Sequence, residues 1–244
     1  MMKTKKIKKM KINNAKLICA TLAVISLSGC ARVSMNIQDS NALRQLRQNH
    51  AIVTPIVTKP KEPKATVAAY GKRVTSMILA GPLLGGVIGE VTENKEGRRL
   101  ALEDHIQDPG EIALPWLVRV LSQKDQDLRF SPIQELSNER TPSVSENGDR
   151  TVLVTSSNGW HLMYYPFSTS KYRVIFQITA RLISTKTHRV LWKASCNYKG
   201  NEDKTNAPSL DQYTANQGAL IKSDISKGSA FCATMLANKL MAAY

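Results

Sequence analysis

The chain has 244 residues with 34 basic and 19 acidic side chains, which gives a net charge of +15. This length is enough for one domain with an extension, or for two small units. Aromatic residues make up 6% of the chain, and they do not interleave with the basic ones. The composition argues against the aromatic stacking surface used for nucleic acid, so we expect no nucleic-acid partner.

The first 29 residues have the three-part layout of an export signal. Seven lysines and no acid precede Leu17, and anionic headgroups and the membrane potential hold such a cluster on the cytoplasmic side. The apolar run from Leu17 to Leu27 would be about 16 Å long as a helix, whereas a membrane-spanning helix needs about 20 residues. The layout predicts a cleaved signal peptide rather than a permanent anchor.

The apolar run ends in Leu27, Ser28, Gly29 and Cys30, and this tetrapeptide resembles the lipobox of bacterial lipoproteins. The resemblance implies cleavage before Cys30 by signal peptidase II, diacylglycerol on its thiol and an acyl chain on its new amino group; no other cofactor is expected. Ala31 and Arg32 follow, without the aspartate that retains such proteins at the inner membrane. The resemblance therefore implies the periplasmic face of the outer membrane.

Two alternatives to this address remain open. In a Gram-positive host, the same signal would place the protein on the outer face of the cell membrane. An ordinary secretory signal with an incidental cysteine would leave it without a lipid anchor.

Loss of the signal would leave 27 basic and 19 acidic side chains, so the mature chain would carry a net charge of +8. Such a bias suits anionic glycans or lipid headgroups as partners. A merely soluble basic surface would have the same composition.

The remaining cysteines point to one disulfide. Cys19 leaves with the signal and the lipid takes Cys30, so Cys196 and Cys232 are left in a compartment where disulfides persist. The alternative is two buried free thiols. Two cysteines without a suitably spaced histidine are a poor ligand set, so we expect no metal.

Residues 30–64 are predicted to be the lipidated N-terminus and a tether rich in proline and lysine. Within them, Leu43 and Leu46 could belong to a short helix, and the β-branched residues of 51–58 to an edge strand. Residues 65–244 are predicted to form the periplasmic domain.

Residues 77–91 contain Gly81, Gly85 and Gly89, which would share one face if this segment were helical. Small residues at this spacing let another backbone approach closely, and the pattern resembles a short glycine zipper. Pro82 and the doubled Gly85-Gly86 weaken a helix. The segment is open to three interpretations: a buried loop or helix, a membrane-touching or self-associating element, and a flexible loop.

The other elements follow from capping residues and periodicity. Asp108, Pro109 and Glu111 predict a helix start, and the helix should end near Ser122. Alternation of apolar and polar residues predicts strands, and Ser226 is a plausible cap for a last helix. The first two predicted strands are 151–155 and 160–165, separated by a turn at 157–159. A long strand runs from Tyr172 through Leu182, and a turn at Thr185–His188 leads to the strand Val190–Tyr198. A polar loop at 201–218 then precedes the predicted helix Lys227–Ala243.

These elements predict an α+β fold, a two-layer sandwich of a mostly antiparallel sheet with helices on one face. The last helix would pack on the sheet, and a bridge from Cys196 to Cys232 would pin it there. The turn Thr185-Lys186-Thr187-His188 with its return Val190-Leu191-Trp192-Lys193 resembles small periplasmic lipoprotein domains, such as those related to the N-terminal domain of the translocation protein TolB or to peptidoglycan-synthase activators.

No catalytic constellation is visible in the sequence. His50, His105, His161 and His188 lie far apart, and we expect His161 to be at the surface or half-packed. No nucleophile elbow, zinc-protease or phosphate-loop motif occurs. Trp160, Tyr164, Tyr165 and Phe167 form an aromatic cluster that is either core packing or a partner-facing edge.

The sequence therefore predicts a lipoprotein, not an enzyme, whose periplasmic domain binds an envelope protein or peptidoglycan and whose lipid binds the membrane. The alternative is an oligomeric or membrane-remodelling envelope subunit that uses the strip of Gly81, Gly85 and Gly89. A third hypothesis, an envelope hydrolase, would need a reactive pair of residues that the sequence does not reveal.

Overall fold

The computed structural model describes residues 32–37, 39–58, 60, 64–68, 95–136, 150–165, 168, 170–200 and 203–243. They form an open mixed sheet of eight strands with four helices. The α+β fold predicted from the sequence is confirmed, including the C-terminal helix that packs on the sheet.

The sheet has the strand order β1-β8-β7-β6-β2-β4, with β3 pairing to β6 and β5 pairing to β2. The long pairs β1–β8, β8–β7 and β7–β6 are antiparallel, and the short strands add parallel pairs around β2 and β6. The strands are β1 Arg32–Ile37, β2 Ile52–Thr58, β3 Ala65–Val67, β4 Arg129–Phe130, β5 Gln134–Leu136, β6 Thr151–Tyr164, β7 Tyr172–Ser184 and β8 Val190–Lys199; the helices are α1 Ser40–Gln48, α2 Lys95–Glu103, α3 Pro109–Lys124 and α4 Leu210–Met241.

All four helices bury apolar side chains in one core against the same face of the sheet, which we call the helix face. The alternation predicted for β7 holds, since Val174, Phe176 and Ile178 are buried there. On β8, Trp192, Ala194 and Cys196 lie in the same core. Alternation from Trp192 predicts that Val190 belongs to this core too, but a register shift beyond Leu182 puts it in a small cluster apart from it.

The predicted tether is wrong for much of its length. Residues 32–37 form edge strand β1, α1 buries Leu43 and Leu46, and β2 enters the sheet. The alternating and β-branched residues of this segment favour strands in spite of its prolines. Asp39 caps α1 by accepting a hydrogen bond of 2.9 Å from Ala42 N. Proline alone does not prevent a chain from joining a sheet.

Strand β2 is also not the predicted edge strand. It pairs with β6 on one side and with β4 and then β5 on the other. The pairs to β4 end at Val53, and those to β5 start at Ile56. The interruption coincides with Pro55, which has no N–H to donate to a ladder.

The turn predicted at 157–159 is instead an irregularity within one strand, β6. The register with β7 shifts between Ser157 and Trp160, and Gly159 has a φ of +89°. A Cβ on Gly159 would clash with the carbonyl oxygen of Lys64. Glycine therefore allows a bulge and the close approach of the chain leading into β3, where the sequence alone suggested a reversal.

Helix α4 begins earlier than predicted. Ser209 forms a capping box with Gln212, and the helix starts at Leu210, so the polar loop ends there. Ala215 to Gly218 are non-helical and break α4 into two parts. Tyr213 in the first part donates a hydrogen bond of 2.7 Å to Asp224 in the second, which fixes the break. Ser226 lies inside the helix and is not its cap.

Candidate functional site

The start of the described chain is tied directly to the edge of the sheet. Strand β1 pairs with β8 along its whole length, from Arg32 opposite Asn197 to Ile37 opposite Trp192. Cys30 precedes Arg32 by two residues, and two extended residues span at most about 7 Å. Cys30 itself lies outside the described residues, so its lipidation stays a prediction, but its distance from the sheet is bounded by chain geometry.

The disulfide predicted between Cys196 and Cys232 is confirmed. Cys196 lies opposite Val33 of β1, and Cys232 is buried in α4. The bond therefore holds α4 against β8, the strand with which β1 pairs. In the loop-entropy treatment, a bridge with a sequence separation of 36 contributes about 4 kcal/mol to stability.

The sheet surface opposite the helix face is polar and basic along much of β7 and β8, with Ile175 and Ile183 buried among the polar residues. We call this surface the basic face; it consists of Arg173, Gln177, Thr179, Arg181, Lys193, Ser195, Asn197 and Lys199. Lys193 is exposed and the others are half-buried. Strands β1, β7 and β8 contain no acidic residue, so nothing on these strands offsets the positive charge.

Register brings the charges and polar groups of the basic face together. Arg181 lies directly opposite Lys193, and Gln177 lies opposite Asn197. The Thr179 and Ser195 hydroxyl groups form a hydrogen bond of 2.8 Å. Like charges directly opposite each other destabilise a strand pair, so the Arg181–Lys193 pair is an unfavourable arrangement unless an anion lies between the two.

Several polar atoms of the basic face are buried without a hydrogen-bond partner. They are Nε of Arg173, Nε of Arg181 and Oδ1 of Asn197. The Arg173 guanidinium also lies over the Tyr165 ring, 4.8 Å from its centroid. Unsatisfied buried polar atoms are uncommon in native proteins and call for a ligand, ion or water. These buried atoms call for a water or a small ion, and the exposed amino group of Lys193 is open to a larger anionic group.

Of the four aromatic residues open to core packing or a partner-facing edge, Trp160 and Tyr165 lie in the interior. Trp160 is 1% exposed and Tyr165 is 5% exposed, so the partner-facing interpretation is wrong for these two residues, and core packing is right. Trp160 follows the bulge in β6 and lies in the helix-face core. Tyr164 is half-buried and contacts Tyr172 edge-on with centroids 6.4 Å apart. Phe167 lies outside the described residues.

The glycine strip at Gly81, Gly85 and Gly89 lies outside the described residues as well. Its role in self-association stays a prediction.

His161 is more deeply buried than its sequence context predicted. Its side chain is 3% exposed, and neither ring nitrogen has a hydrogen-bond partner. By register, its neighbours are Thr66 on β3 and Ile175 on β7. Burial lowers the pKa of His161 from 6.5 to about 4, so the imidazole is neutral at ordinary pH.

The first turn of α3 docks on the bulge of β6 through a polar cluster. Asp108 caps the helix as predicted, accepting from Gly110 N at 2.7 Å and from the Ser157 hydroxyl at 2.5 Å. The Thr155 hydroxyl donates to the Gly110 carbonyl at 3.0 Å. Desolvation raises the pKa of Asp108. The cluster has a structural role, because its bonds either cap α3 or join the start of α3 to β6.

Within the described part of the chain, no group of three or more His, Cys, Asp or Glu residues could hold a metal ion. Over the same residues, no helix is long and apolar enough to cross a bilayer.

Comparison with known proteins adds a coarse likeness of shape. No protein-family model and no curated protein matches the chain. Among solved structures, it is similar to the PelC dodecamer from Paraburkholderia phytofirmans (TM-score 0.30, 14% identity, 83% of this chain and 98% of that chain). It is also similar to a Helicobacter pylori protein described as a neuraminyllactose-binding hemagglutinin homologue (TM-score 0.36, 13% identity, 79% and 83%).

A third similar structure is a Caulobacter crescentus protein described as a lipoprotein (TM-score 0.25, 13% identity, 53% of this chain and 81% of that chain). At these TM-scores, none of the likenesses carries an argument about function.

Proposed function

We propose that this protein is a lipoprotein held in the periplasmic leaflet of the outer membrane through Cys30, and that its α+β domain is a non-catalytic binding module of the cell envelope. The observation that carries the proposal is the position of β1. The strand starts two residues after Cys30 and pairs with β8 from its first residue. A lipid on Cys30 would therefore attach the membrane to the sheet without a flexible linker.

A rigid attachment suits a module that presents one surface at a fixed height and orientation. The disulfide between Cys196 and Cys232 stiffens the same edge of the sheet, which supports this interpretation. Two or three acyl chains would make the attachment effectively permanent.

Replacing Cys30 by alanine tests the anchor. We expect Cys30→Ala to abolish incorporation of labelled palmitate and to keep the signal peptide from being removed by lipoprotein processing. Equal palmitate labelling of the variant and the parent protein would contradict the proposal. Cys19→Ala is the matched control, since that residue would lie in the removed segment.

Crosslinking in intact cells tests the binding module. The lipidated protein should recover a specific envelope protein or peptidoglycan fragment, and recovery should be lost on unfolding. Recovery of no specific component, with the protein correctly lipidated, would count against a binding role. Incubation with peptidoglycan and phospholipids should leave both unaltered.

A further inference from the structure

The basic face lies on the strands next to the anchor. Arg32 opens β1 opposite Asn197, and Asn197 lies opposite Gln177 of β7. Lys199 is two residues beyond Asn197, and Lys193 is four residues before it, which is about 13 Å along the strand. Lys199 is thus at the end of β8 near Cys30 and Lys193 is at the far end, so a sheet that lies parallel to the membrane holding Cys30 would bring both cations onto it.

The side chains of the basic face are arranged to meet negative charge. Arg181 and Lys193 lie side by side with no acid on β1, β7 or β8. Nε of Arg181 and Nε of Arg173 are buried without partners. An anionic group over this face would relieve the repulsion between Arg181 and Lys193.

We propose that the basic face lies on the anionic phospholipid headgroups of the leaflet that holds the anchor. This inference rests on the proposed function, because the anchor sets the distance. Attachment at Cys30 makes contact with neighbouring headgroups an intramolecular event with a high effective concentration, and no free glycan or protein partner has that advantage. The helix face is then directed away from the membrane, with α3 and α4 available to partners in the periplasm.

The electrostatic contribution is of useful size. A Lys or Arg near an anionic membrane surface strengthens binding by about five-fold, and the effect fades within a Debye length. Four cations acting together would hold the sheet firmly against the leaflet while leaving its release sensitive to salt. An acyl chain with a basic surface is a common pair of membrane signals.

The test uses lipidated protein reconstituted in vesicles of phosphatidylcholine, with and without phosphatidylglycerol, containing a headgroup nitroxide quencher. A fluorophore is attached to Asn36→Cys, an exposed β1 position opposite Lys193. The matched control is Gln123→Cys, an exposed position on α3. Cys196 and Cys232 are joined and lipid blocks Cys30, so the new thiol alone is labelled.

We expect strong quenching of the Asn36 label in vesicles that contain phosphatidylglycerol and weak quenching without it. The Gln123 label should stay unquenched in both. Adding Lys193→Glu and Arg181→Gln should bring the Asn36 signal to its level in neutral vesicles, whereas Lys124→Glu on α3 should not. Salt at about 1 M, which shortens the Debye length to about 3 Å, should have the effect of the double substitution.

Flotation of the vesicles separates the two proposals. Protein that fails to float with the lipid shows that the anchor is absent, and the proposed function falls together with this inference. Protein that floats but whose Asn36 label is unquenched, or equally quenched in neutral and anionic vesicles, overturns the membrane-facing basic face alone. Circular dichroism of each variant confirms that the folded protein is being compared.

Discussion

Gly228 of α4 lies directly against the ring of Tyr198 on β8: a Cβ at Gly228 would stand 2.6 Å from Tyr198 Cδ1 and from Phe176 Cζ. Tyr198 and Phe176 are stacked with centroids 4.8 Å apart. The absence of a side chain at position 228 therefore sets how closely the last helix approaches the sheet, four residues before Cys232.

Gly228→Ala should lower the free energy of unfolding by about 1–3 kcal/mol, because overpacking the core outweighs the better helix propensity of alanine. Urea unfolding followed by circular dichroism measures the change. Lys227→Ala, at an exposed neighbouring position, is the control and should shift the unfolding free energy by less than about 0.5 kcal/mol. A more stable Gly228→Ala protein would show that α4 does not pack this tightly.

Replacing both Cys196 and Cys232 by alanine should lower the free energy of unfolding by about 4 kcal/mol, since the open chain regains the entropy that the bridge removes. The measurement compares urea unfolding of both proteins with and without reductant. Reductant should destabilise the parent protein and leave the double variant unchanged. Equal unfolding curves for the parent protein in both conditions would contradict a stabilising disulfide.

Asp108→Ala should lower the free energy of unfolding by about 1 kcal/mol, because the N-terminal N–H groups of α3 lose their cap. Asp108→Asn is the matched control. It keeps an oxygen for Gly110 N and removes only the charge, which burial already disfavours, as the raised pKa of Asp108 shows. We expect Asp108→Asn to be more stable than Asp108→Ala in urea unfolding. Equal losses in the two variants would mean that the carboxylate charge, rather than the cap, holds α3.

Local patterns in the sequence were enough to predict β7, β8 and the bond between α4 and the sheet. Alternation places Phe176 and Trp192 on one side, and the same alternation places Cys196 beside them. Asp108 and Pro109 mark the start of α3 without reference to the rest of the fold. Each of these signals is complete within a few residues.

The errors arose where a residue's meaning depended on a distant segment. Gly159 suggests a turn until β3 is present, because its positive φ serves a bulge against Lys64. Pro55 suggests a tether or an edge until the gap between β4 and β5 is seen to leave it unpaired on that side of β2, while it pairs with Leu153 of β6 on the other. For Trp160 and Tyr165 the sequence left core packing and a partner-facing edge both open, because burial depends on the strands and helices around them.

The basic face was only partly visible in the sequence. Alternation placed Arg173, Arg181 and Lys193 at the polar positions of their strands. The pairing of Arg181 with Lys193 depends on the register set by the turn and the shift beyond Leu182. The nearness of this face to Cys30 depends on β1 joining β8, which the tether interpretation concealed.

His161 should make the protein sensitive to acid. Burial lowers its pKa to about 4 in the folded state, compared with about 6.5 in an unfolded chain. The fold favours the neutral imidazole. The contribution of His161 to the free energy of unfolding is therefore fully present above pH 6.5 and is lost as the pH falls toward 4. The difference between the two pKa values corresponds to a decrease in the free energy of unfolding on the order of 3 kcal/mol.

Urea unfolding between pH 7 and about pH 4 should show this loss in the parent protein, and His161→Leu should flatten it. Other groups, including Asp108, titrate in both proteins, so the difference between the two curves isolates the histidine. His188→Asn is the control: it changes an exposed histidine with a φ of 54°, a backbone conformation that asparagine tolerates. Parallel pH profiles for the parent protein and His161→Leu would show that His161 binds its proton equally well in the folded and unfolded chain.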